Sequence, residues 1–172
     1  IQSRVSTHYF IKKSGEIIIM VPDSHVAWHA GISQWGKQRL LNKHSIGIEI
    51  SNPGHNFGYT NFSKKQIKSL IKLSKKLIRK YKIKKNNILG HSDVAPDRKL
   101  DPGEKFPWKL LYKNNIGIWH NINNKKLTFL RKKNVSIREK RLFIKNLKKF
   151  GYPSKSLIVK KKPKYHRLLI KA

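Results

Sequence analysis

At 172 residues the chain is long enough for one domain with a sizeable core and a small appendage. It contains no cysteine, which excludes disulfide bonds and thiolate metal sites. It also contains no run of about 18 apolar residues, which excludes a membrane-spanning helix of the usual kind.

Charge is the most unusual global property of the chain. Forty Lys and Arg residues against eight Asp and Glu residues give a formal net charge of +32. Such a chain is attracted to polyanions in general, including nucleic acid and anionic lipid headgroups. The charge is mostly that of lysines spread from Lys12 to Lys171, however, and zinc-finger, helix-turn-helix and RNA-recognition patterns are lacking. Nucleic-acid binding is therefore a minor alternative that rests on charge alone.

The N-terminal part has the pattern of a β-hairpin. Residues 7–12 and 16–21 are rich in β-branched and aromatic side chains, and the sequence Lys-Ser-Gly at 13–15 joins them. A short glycine-containing connection between two such runs predicts a pair of antiparallel strands.

The segment 26–36 follows neither a helical nor a strand period. It contains Trp28, His29 and Trp35 together with two glycines. Aromatic surface and small residues in a loop suit a cleft that binds sugar or peptide. These three residues are therefore candidate substrate contacts, and the alternative is a structural Trp that fills the core beside a tight turn.

Residues 45–50 predict an apolar strand with one carboxylate. Ile46, Ile48 and Ile50 share one face, and Glu49 lies on the other face with Gly47. Glu49 is either a solvated residue on a half-exposed strand or a general base that faces a cleft. Its strongly apolar neighbourhood, in a chain with only eight acidic residues, favours the second interpretation.

Ser63 and Gln66 form a capping-box pattern that predicts the start of a helix. Lys and Arg fill many of the positions that follow, and the apolar residues between them recur with helical period. These apolar residues are Ile67, Leu70, Ile71, Leu77, Ile78 and Tyr81. We expect a helix with one face in the core. Residues 87–90 then predict a short strand that carries His91 at its carboxyl end, where sites gather in open α/β sheets.

The stretch from His91 to Gly103 is the strongest candidate site. His91 and Asp101 lie ten residues apart, and prolines at 96 and 102 forbid a continuous helix between them. A folded-back loop could bring the imidazole and the carboxylate together as two of the three protein ligands of a catalytic zinc ion. Lys99 could direct a positive charge at a developing oxyanion. The alternative is a turn-rich surface loop.

Five motifs in order make the sequence recognisable. The chain closely resembles the type-2 N-acetylmuramoyl-L-alanine amidases, which include AmpD-like enzymes of peptidoglycan recycling and are related to peptidoglycan recognition proteins. The resemblance covers about residues 3–119 and rests on Ser-x-His-Tyr at 6–9, Ala-Trp-His-Ala-Gly-Ile-Ser at 27–33, Ser-Ile-Gly-Ile-Glu at 45–49, Gly-His-Ser-Asp at 90–93 and Asp-Pro-Gly at 101–103.

The resemblance implies an α/β fold with a mixed central sheet flanked by helices. It implies zinc-dependent hydrolysis of the amide between N-acetylmuramic acid and L-alanine, with peptidoglycan fragments as partners. His91 and Asp101 match zinc ligands of the family, Glu49 matches the carboxylate that activates water, and Lys99 matches the cation beside the carbonyl oxygen. Trp28, His29 and Trp35 would then line the muropeptide cleft.

One family element is missing from the sequence. The first zinc-binding His of the family comes from an early strand that precedes the Ser-x-His-Tyr motif. His8 lies within that motif and matches a non-ligand His, so we do not assign it to zinc, although it is the best substitute available. The missing strand would leave one edge of the sheet unpaired.

From about residue 128 the sequence changes character. Residues 135–150 predict a basic amphipathic helix that ends at Gly151, and residues 163–172 predict the beginning of another. We therefore expect a zinc amidase domain at 1–120 and a small helical segment at 128–172. The latter is similar to the first part of the helical peptidoglycan-binding module that follows some of these amidases; generic core helices are the alternative.

Two other functions fit the sequence. A catalytically inactive relative that only binds muropeptides would explain the missing third ligand, and a polybasic protein that binds nucleic acid would explain the charge. The chain begins with Ile1 and has no signal-peptide pattern, which indicates a fragment or a processed product. The sequence therefore assigns no compartment: the bacterial cytoplasm and the periplasm or envelope both fit.

Overall fold

A small mixed sheet forms the centre of the structure, a computed structural model that describes residues 5–153. Its strands are β1 (Tyr9–Ile11), β2 (Ile17–Ile19) and β5 (Ile48–Ile50). Between β2 and β5 the chain forms a separate hairpin of two short strands, β3 (Gln34–Trp35) and β4 (Gln38–Arg39). The order is β2-β1-β5: β1 pairs antiparallel with β2 and parallel with β5. The predicted α/β class with a mixed sheet is confirmed.

The predicted hairpin and strand are also confirmed. Tyr9 pairs with Ile19 and Ile48, and Phe10 pairs with Ile18 and Glu49. Because side chains alternate along a strand, Tyr9, Ile11 and the isoleucines of β5 point to one face, and Phe10 and Glu49 point to the other. Within residues 5–153, β5 pairs with β1 only, so its second edge has no partner strand there.

Helix α1 (Lys64–Tyr81) covers the apolar face of the sheet. It begins at the predicted capping box, in which the Gln66 amide donates to the Ser63 hydroxyl at 3.1 Å and the Ser63 amide donates to the Gln66 side chain at 2.9 Å. Its core face matches the predicted period, except that Leu73 is buried as well and Tyr81 is exposed. This helix and sheet form the main core, with Phe106, Leu111 and Ile116 added from the later chain.

The predicted strand at 87–90 is wrong. Lys85–Asn87 is a turn of 3₁₀ helix. Ile88 and Gly90 have extended backbone, but residues 88–90 pair with no strand of the described chain. Ile88 packs against the main core and Leu89 against a second cluster, so the apolar run is satisfied by side-chain packing rather than by a ladder. His91 then begins a one-turn helix, α2 (His91–Val94).

The later chain is helical, with α3 (Trp108–Lys113), α4 (Asn124–Lys132) and α5 (Ile137–Phe150). The helix predicted at 135–150 is confirmed, with a capping box between Ser136 and Glu139 and Gly151 at its end. Residues 163–172 lie outside the described part, so the helix predicted there and the division at 120 and 128 stay predictions. Between residues 5 and 153 no helix is long and apolar enough to span a bilayer.

A second, smaller cluster lies beside the main core. It contains Ala30, Trp35, Leu41 and Val94, and Leu89 and Tyr152 pack against it. This cluster joins the 26–36 loop, helix α2 and the residues after α5 at one place, which fixes the surroundings of His91.

Candidate functional site

The structure brings His91 and Asp101 into direct contact. His91 is the first residue of α2, and the chain folds back so that the Ser92 amide donates to the Asp101 carbonyl at 2.9 Å. The His91 Nδ1 atom then lies 3.1 Å from the Asp101 Oδ2 atom. The folded-back loop expected from the two prolines is therefore observed.

This pair fits two ligands of one zinc ion. Zn–N and Zn–O bonds of about 2.0–2.2 Å place two ligands of a tetrahedral ion about 3.4 Å apart. The Nδ1 to Oδ2 distance of 3.1 Å is within a few tenths of an ångström of that separation. Among residues 5–153, however, no group of three or more His, Cys, Asp or Glu side chains is arranged to hold a metal ion. His91 and Asp101 could therefore serve as two of the three protein ligands that a catalytic zinc usually has.

The second ring nitrogen of His91 fixes the orientation of the imidazole. Nε2 lies 3.2 Å from the Ala30 carbonyl oxygen. The Arg98 guanidinium donates to the same carbonyl and to that of Ile32, which holds the loop in place. When a metal replaces the proton that Nδ1 shares with Asp101, a proton on Nε2 directed at the carbonyl holds the ring with its Nδ1 lone pair facing the metal, which is the usual role of a hydrogen bond behind a ligating His. Sequence reasoning did not identify Arg98.

The electrostatics of Asp101 favour its ionised form. Burial raises the pKa of the carboxyl, but the hydrogen bond from His91 and the charges of His91 and Lys99 outweigh burial and hold the pKa below its ordinary value. The side chain nevertheless remains 59% exposed, so an incoming ligand can reach it. A carboxylate that stays ionised and accessible suits a metal ligand.

The turn after Asp101 is held by a tyrosine that the sequence did not indicate. The Tyr59 hydroxyl donates to the Pro102 carbonyl at 2.6 Å and accepts from the Lys105 amide at 3.1 Å. Gly103 has φ +81°, and a β-carbon there would lie 2.7 Å from the Tyr59 oxygen. The close approach explains the glycine of the Asp-Pro-Gly motif.

His29 packs against the sheet at Gly47, with its ring centroid 5.4 Å from that of His8. Its ring packs on Gly47, and its Nε2 atom lies 3.3 Å from the Ser45 carbonyl oxygen. Burial lowers its pKa, and the charges of His8 and His91 lower it further, against the hydrogen bond with Ser45. The neutral form of the imidazole is therefore favoured, and its predicted role as a substrate contact stays a prediction.

His8 is a structural residue. Its side chain is 1% exposed, Nδ1 accepts from the Gly47 amide at 3.0 Å, and Nε2 lies 3.0 Å from the His25 carbonyl oxygen. Because both nitrogens are engaged and the ring is buried, His8 does not offer a lone pair to a metal. The geometry supports leaving it out of the ligand set.

The structure places the two predicted catalytic residues on different elements. Glu49 is exposed on the sheet face that carries Gly47 and His29, and its side-chain carboxylate makes no hydrogen bond or ion pair with other residues of the described chain. Lys99 is half-buried, and its charge helps to lower the pKa of Asp101. Lys99 is thus near Asp101, and the Glu49 carboxylate is free to interact with a substrate or water.

The two tryptophans have opposite environments. Trp28 is 57% exposed and is available to a ligand. Trp35 is 9% exposed and packs within the second cluster, which favours the alternative of a structural Trp over a substrate contact. Its burial depends on Phe150 and Tyr152, which are distant in sequence, so residue type alone could not distinguish the two tryptophans.

Comparison with known proteins gives a consistent result. The sequence pattern of the N-acetylmuramoyl-L-alanine amidase family matches residues 1–104. The chain is 41% identical over 128 residues to the N-acetylmuramoyl-L-alanine amidase AmiD of Escherichia coli, an alignment that covers 67% of this chain and 46% of AmiD. It is 42% identical over 105 residues to the 1,6-anhydro-N-acetylmuramyl-L-alanine amidase AmpD of the same organism, covering 61% of this chain and 55% of AmpD.

Solved structures show the same similarity. The E. coli AmiD complex with anhydro-N-acetylmuramic acid-L-Ala-D-gamma-Glu-L-Lys has a TM-score of 0.79 at 32% identity, covering 98% of this chain and 69% of AmiD. AmpDh3 from Pseudomonas aeruginosa with anhydromuramic pentapeptide has a TM-score of 0.77 at 29% identity, covering 98% of this chain and 71% of that protein. The chain spans about half the length of the curated relatives it matches.

Proposed function

The chain belongs to the N-acetylmuramoyl-L-alanine amidase family, and we propose that it hydrolyses the amide between N-acetylmuramic acid and L-alanine in muropeptides or peptidoglycan. The observation that carries the proposal is the contact of His91 Nδ1 with Asp101 Oδ2 at 3.1 Å, in a loop whose glycine, tyrosine and arginine contacts hold both side chains in place. AmiD and AmpDh3 have been solved with anhydromuramic peptides, which supports a ligand of that class here.

His91 and Asp101 would hold a zinc ion, with a further ligand that residues 5–153 do not provide. Bound zinc supplies a Lewis acid for the amide carbonyl and a water that is acidic near neutral pH. The protein's contribution is the orientation of the donors: Ala30 and Arg98 fix the imidazole, and Tyr59 fixes the turn that carries the carboxylate.

Glu49 would transfer the proton of the reaction, and Lys99 would stabilise its oxyanion. An amide has a poor leaving group, so a base that takes a proton from the attacking water and passes it to the departing amine lowers the barrier to cleavage. Glu49, exposed on the face that carries His29, is the carboxylate suited to that transfer. The Lys99 ammonium would stabilise the oxyanion, where the loss of one donor typically costs about 3 kcal/mol.

Substrate contacts are proposed for His29 and Trp28. The neutral His29 imidazole could donate to or accept from a peptide group beside the metal-ligand pair. The exposed Trp28 ring offers an apolar surface of the kind on which sugar rings pack.

The test compares rates on a muramoyl-tripeptide with the zinc-loaded chain and its Glu49→Gln variant. The expected result is release of free tripeptide by the wild type and a decrease of about 100-fold to 10,000-fold in the variant. Glu16→Gln is the matched control, because Glu16 is an exposed carboxylate that pairs with Lys12. Equal rates for the Glu49 and control variants would reject the role of Glu49.

A second function, muropeptide binding without hydrolysis, is favoured by one observation. The described residues contain two zinc donors and no cluster of three. Binding of the muramoyl-tripeptide by calorimetry, together with no product after prolonged incubation with zinc, would favour the binding protein over the enzyme.

A further inference from the structure

The residues that follow α5 contact the candidate metal site from behind. The Tyr152 hydroxyl donates to the Asp93 Oδ1 atom at 2.6 Å, across 59 residues of sequence. Asp93 lies in α2, two residues after His91. A side chain from the helical C-terminal region thus reaches the element that carries a predicted zinc ligand.

Asp93 connects this tyrosine to the backbone amide of Gly90, the residue before His91. Its Oδ2 atom accepts from the Gly90 amide at 2.7 Å, which satisfies one of the free N–H groups at the start of α2. Its Oδ1 atom is occupied by Tyr152. Burial raises the pKa of the Asp93 carboxyl against the hydrogen bonds from Tyr152 and Gly90, so the two donors are what keep this carboxylate satisfied.

Tyr152 is itself held firmly. Its ring and that of Phe150 pack edge-on against Trp35, with centroid distances of 5.1 and 5.7 Å. The Gly36 amide donates to the Gly151 carbonyl at 2.7 Å. Gly151 has φ +136°, and a β-carbon there would lie 2.7 Å from the Trp35 ring, so only glycine allows this approach.

We propose that Tyr152 is a positioning residue of the amidase site, whose hydroxyl fixes Asp93 and thereby the backbone and ring orientation of His91. The inference rests on the proposed function for its effect on catalysis. According to this proposal, residues 150–153 help to hold the candidate metal site in place. Hydrogen-bonding partners behind metal ligands typically change metal affinity about 10-fold to 100-fold, and Tyr152, which acts through Asp93, should change it about threefold to tenfold.

The experiment replaces the hydroxyl alone. Tyr152→Phe keeps the ring against Trp35 and removes the donor to Asp93, and Tyr112→Phe is the matched control on an exposed tyrosine of α3. Three properties are measured on the full chain: ¹⁵N chemical shifts of the His91 ring without metal, zinc affinity by chelator competition, and kcat and KM on a muramoyl-tripeptide.

For Tyr152→Phe we expect His91 ring shifts that move towards the average of the two tautomers, a zinc Kd about threefold to tenfold weaker and a lower kcat at unchanged KM. In a double-mutant cycle with Asp93→Asn the effects should not add, because both variants break the same link. Tyr112→Phe should match the wild type in all three properties.

Wild-type ring shifts and zinc affinity in Tyr152→Phe, with only a lower melting temperature, would overturn the proposal and leave Tyr152 a residue of folding stability. If the wild type neither binds zinc nor releases tripeptide, the proposed function fails. The metal-free shifts of His91 would still decide whether Tyr152 positions it, so the two failures are distinguishable.

Discussion

The imidazole of His29 occupies the space that a side chain at position 47 would need. A β-carbon on Gly47 would lie 2.3 Å from the His29 Cγ atom and 2.7 Å from Nδ1. The Ser-Ile-Gly-Ile-Glu motif therefore needs its glycine so that His29 can lie against the sheet at the start of the strand that carries Glu49.

Gly47→Ala should accordingly destabilise the protein and displace His29. Forcing a methyl group into a filled space typically costs about 1–3 kcal/mol of unfolding free energy. Urea denaturation measures this cost. The same substitution in a His29→Ala background should cost much less; an equal cost in both backgrounds would mean that the contact with His29 is not the reason for the glycine.

Asp101→Asn should weaken zinc binding strongly. The substitution removes the negative charge of one of the two proposed zinc ligands. The loss of zinc affinity should exceed the roughly 100-fold loss that is the upper range for residues that only hydrogen-bond to a metal ligand. Zinc titration against a competing chelator measures it. Asp23→Asn is the control, since that carboxylate pairs with Lys80 at 3.2 Å; equal losses in the two variants would remove Asp101 from the site.

His8→Ala should reduce stability without changing zinc affinity. The buried ring satisfies the Gly47 amide and the His25 carbonyl, and a buried polar group left without a partner costs about 1–3 kcal/mol. Urea denaturation and zinc titration of the folded protein separate the two properties. A loss of zinc affinity as large as that of Asp101→Asn would show that His8 is a ligand after all.

The N-terminus of α5 should loosen in acid. Hydrogen bonds from Lys133 and from Ser136 lower the pKa of Glu139 to about 2. Because the folded pKa is below the unfolded one, this contribution to stability is complete above the ordinary value of 4.5 and is lost as the pH falls from there towards 2. The protection factor for amide exchange at the first turn of α5, which corrects for the intrinsic exchange rate at each pH, should fall over that window. Glu139→Gln should abolish the pH dependence, and an unchanged profile in that variant would contradict the assignment.

Much of the fold could be predicted from local sequence patterns. The hairpin, the strand at 48–50 and helices α1 and α5 follow from alternation, helical period and capping residues within short windows. The contact of His91 with Asp101 could be predicted because both lie in one loop broken by prolines. The strand predicted at 87–90 was wrong because an apolar segment that is buried by side-chain packing has the same residue types as a buried strand.

Contacts between distant segments could not be predicted. Arg98 reaches Ala30, Tyr59 reaches Pro102, and Tyr152 reaches Asp93 across more than 40 residues each. None of these contacts leaves a periodic or short-range signal. They become visible only when the fold brings the 26–36 loop, helix α2 and the end of α5 together.

The central claim is tested most directly by identifying the bond that is cleaved. The zinc-loaded chain is incubated with a muramoyl-tripeptide in H₂¹⁸O, and both products are analysed by mass spectrometry. The account predicts one ¹⁸O atom in the lactyl carboxylate of N-acetylmuramic acid and an unlabelled tripeptide with a free L-alanine amino group. Incorporation of ¹⁸O into the tripeptide would contradict the proposed amidase activity. Binding of the muramoyl-tripeptide without cleavage in the presence of zinc would contradict it as well.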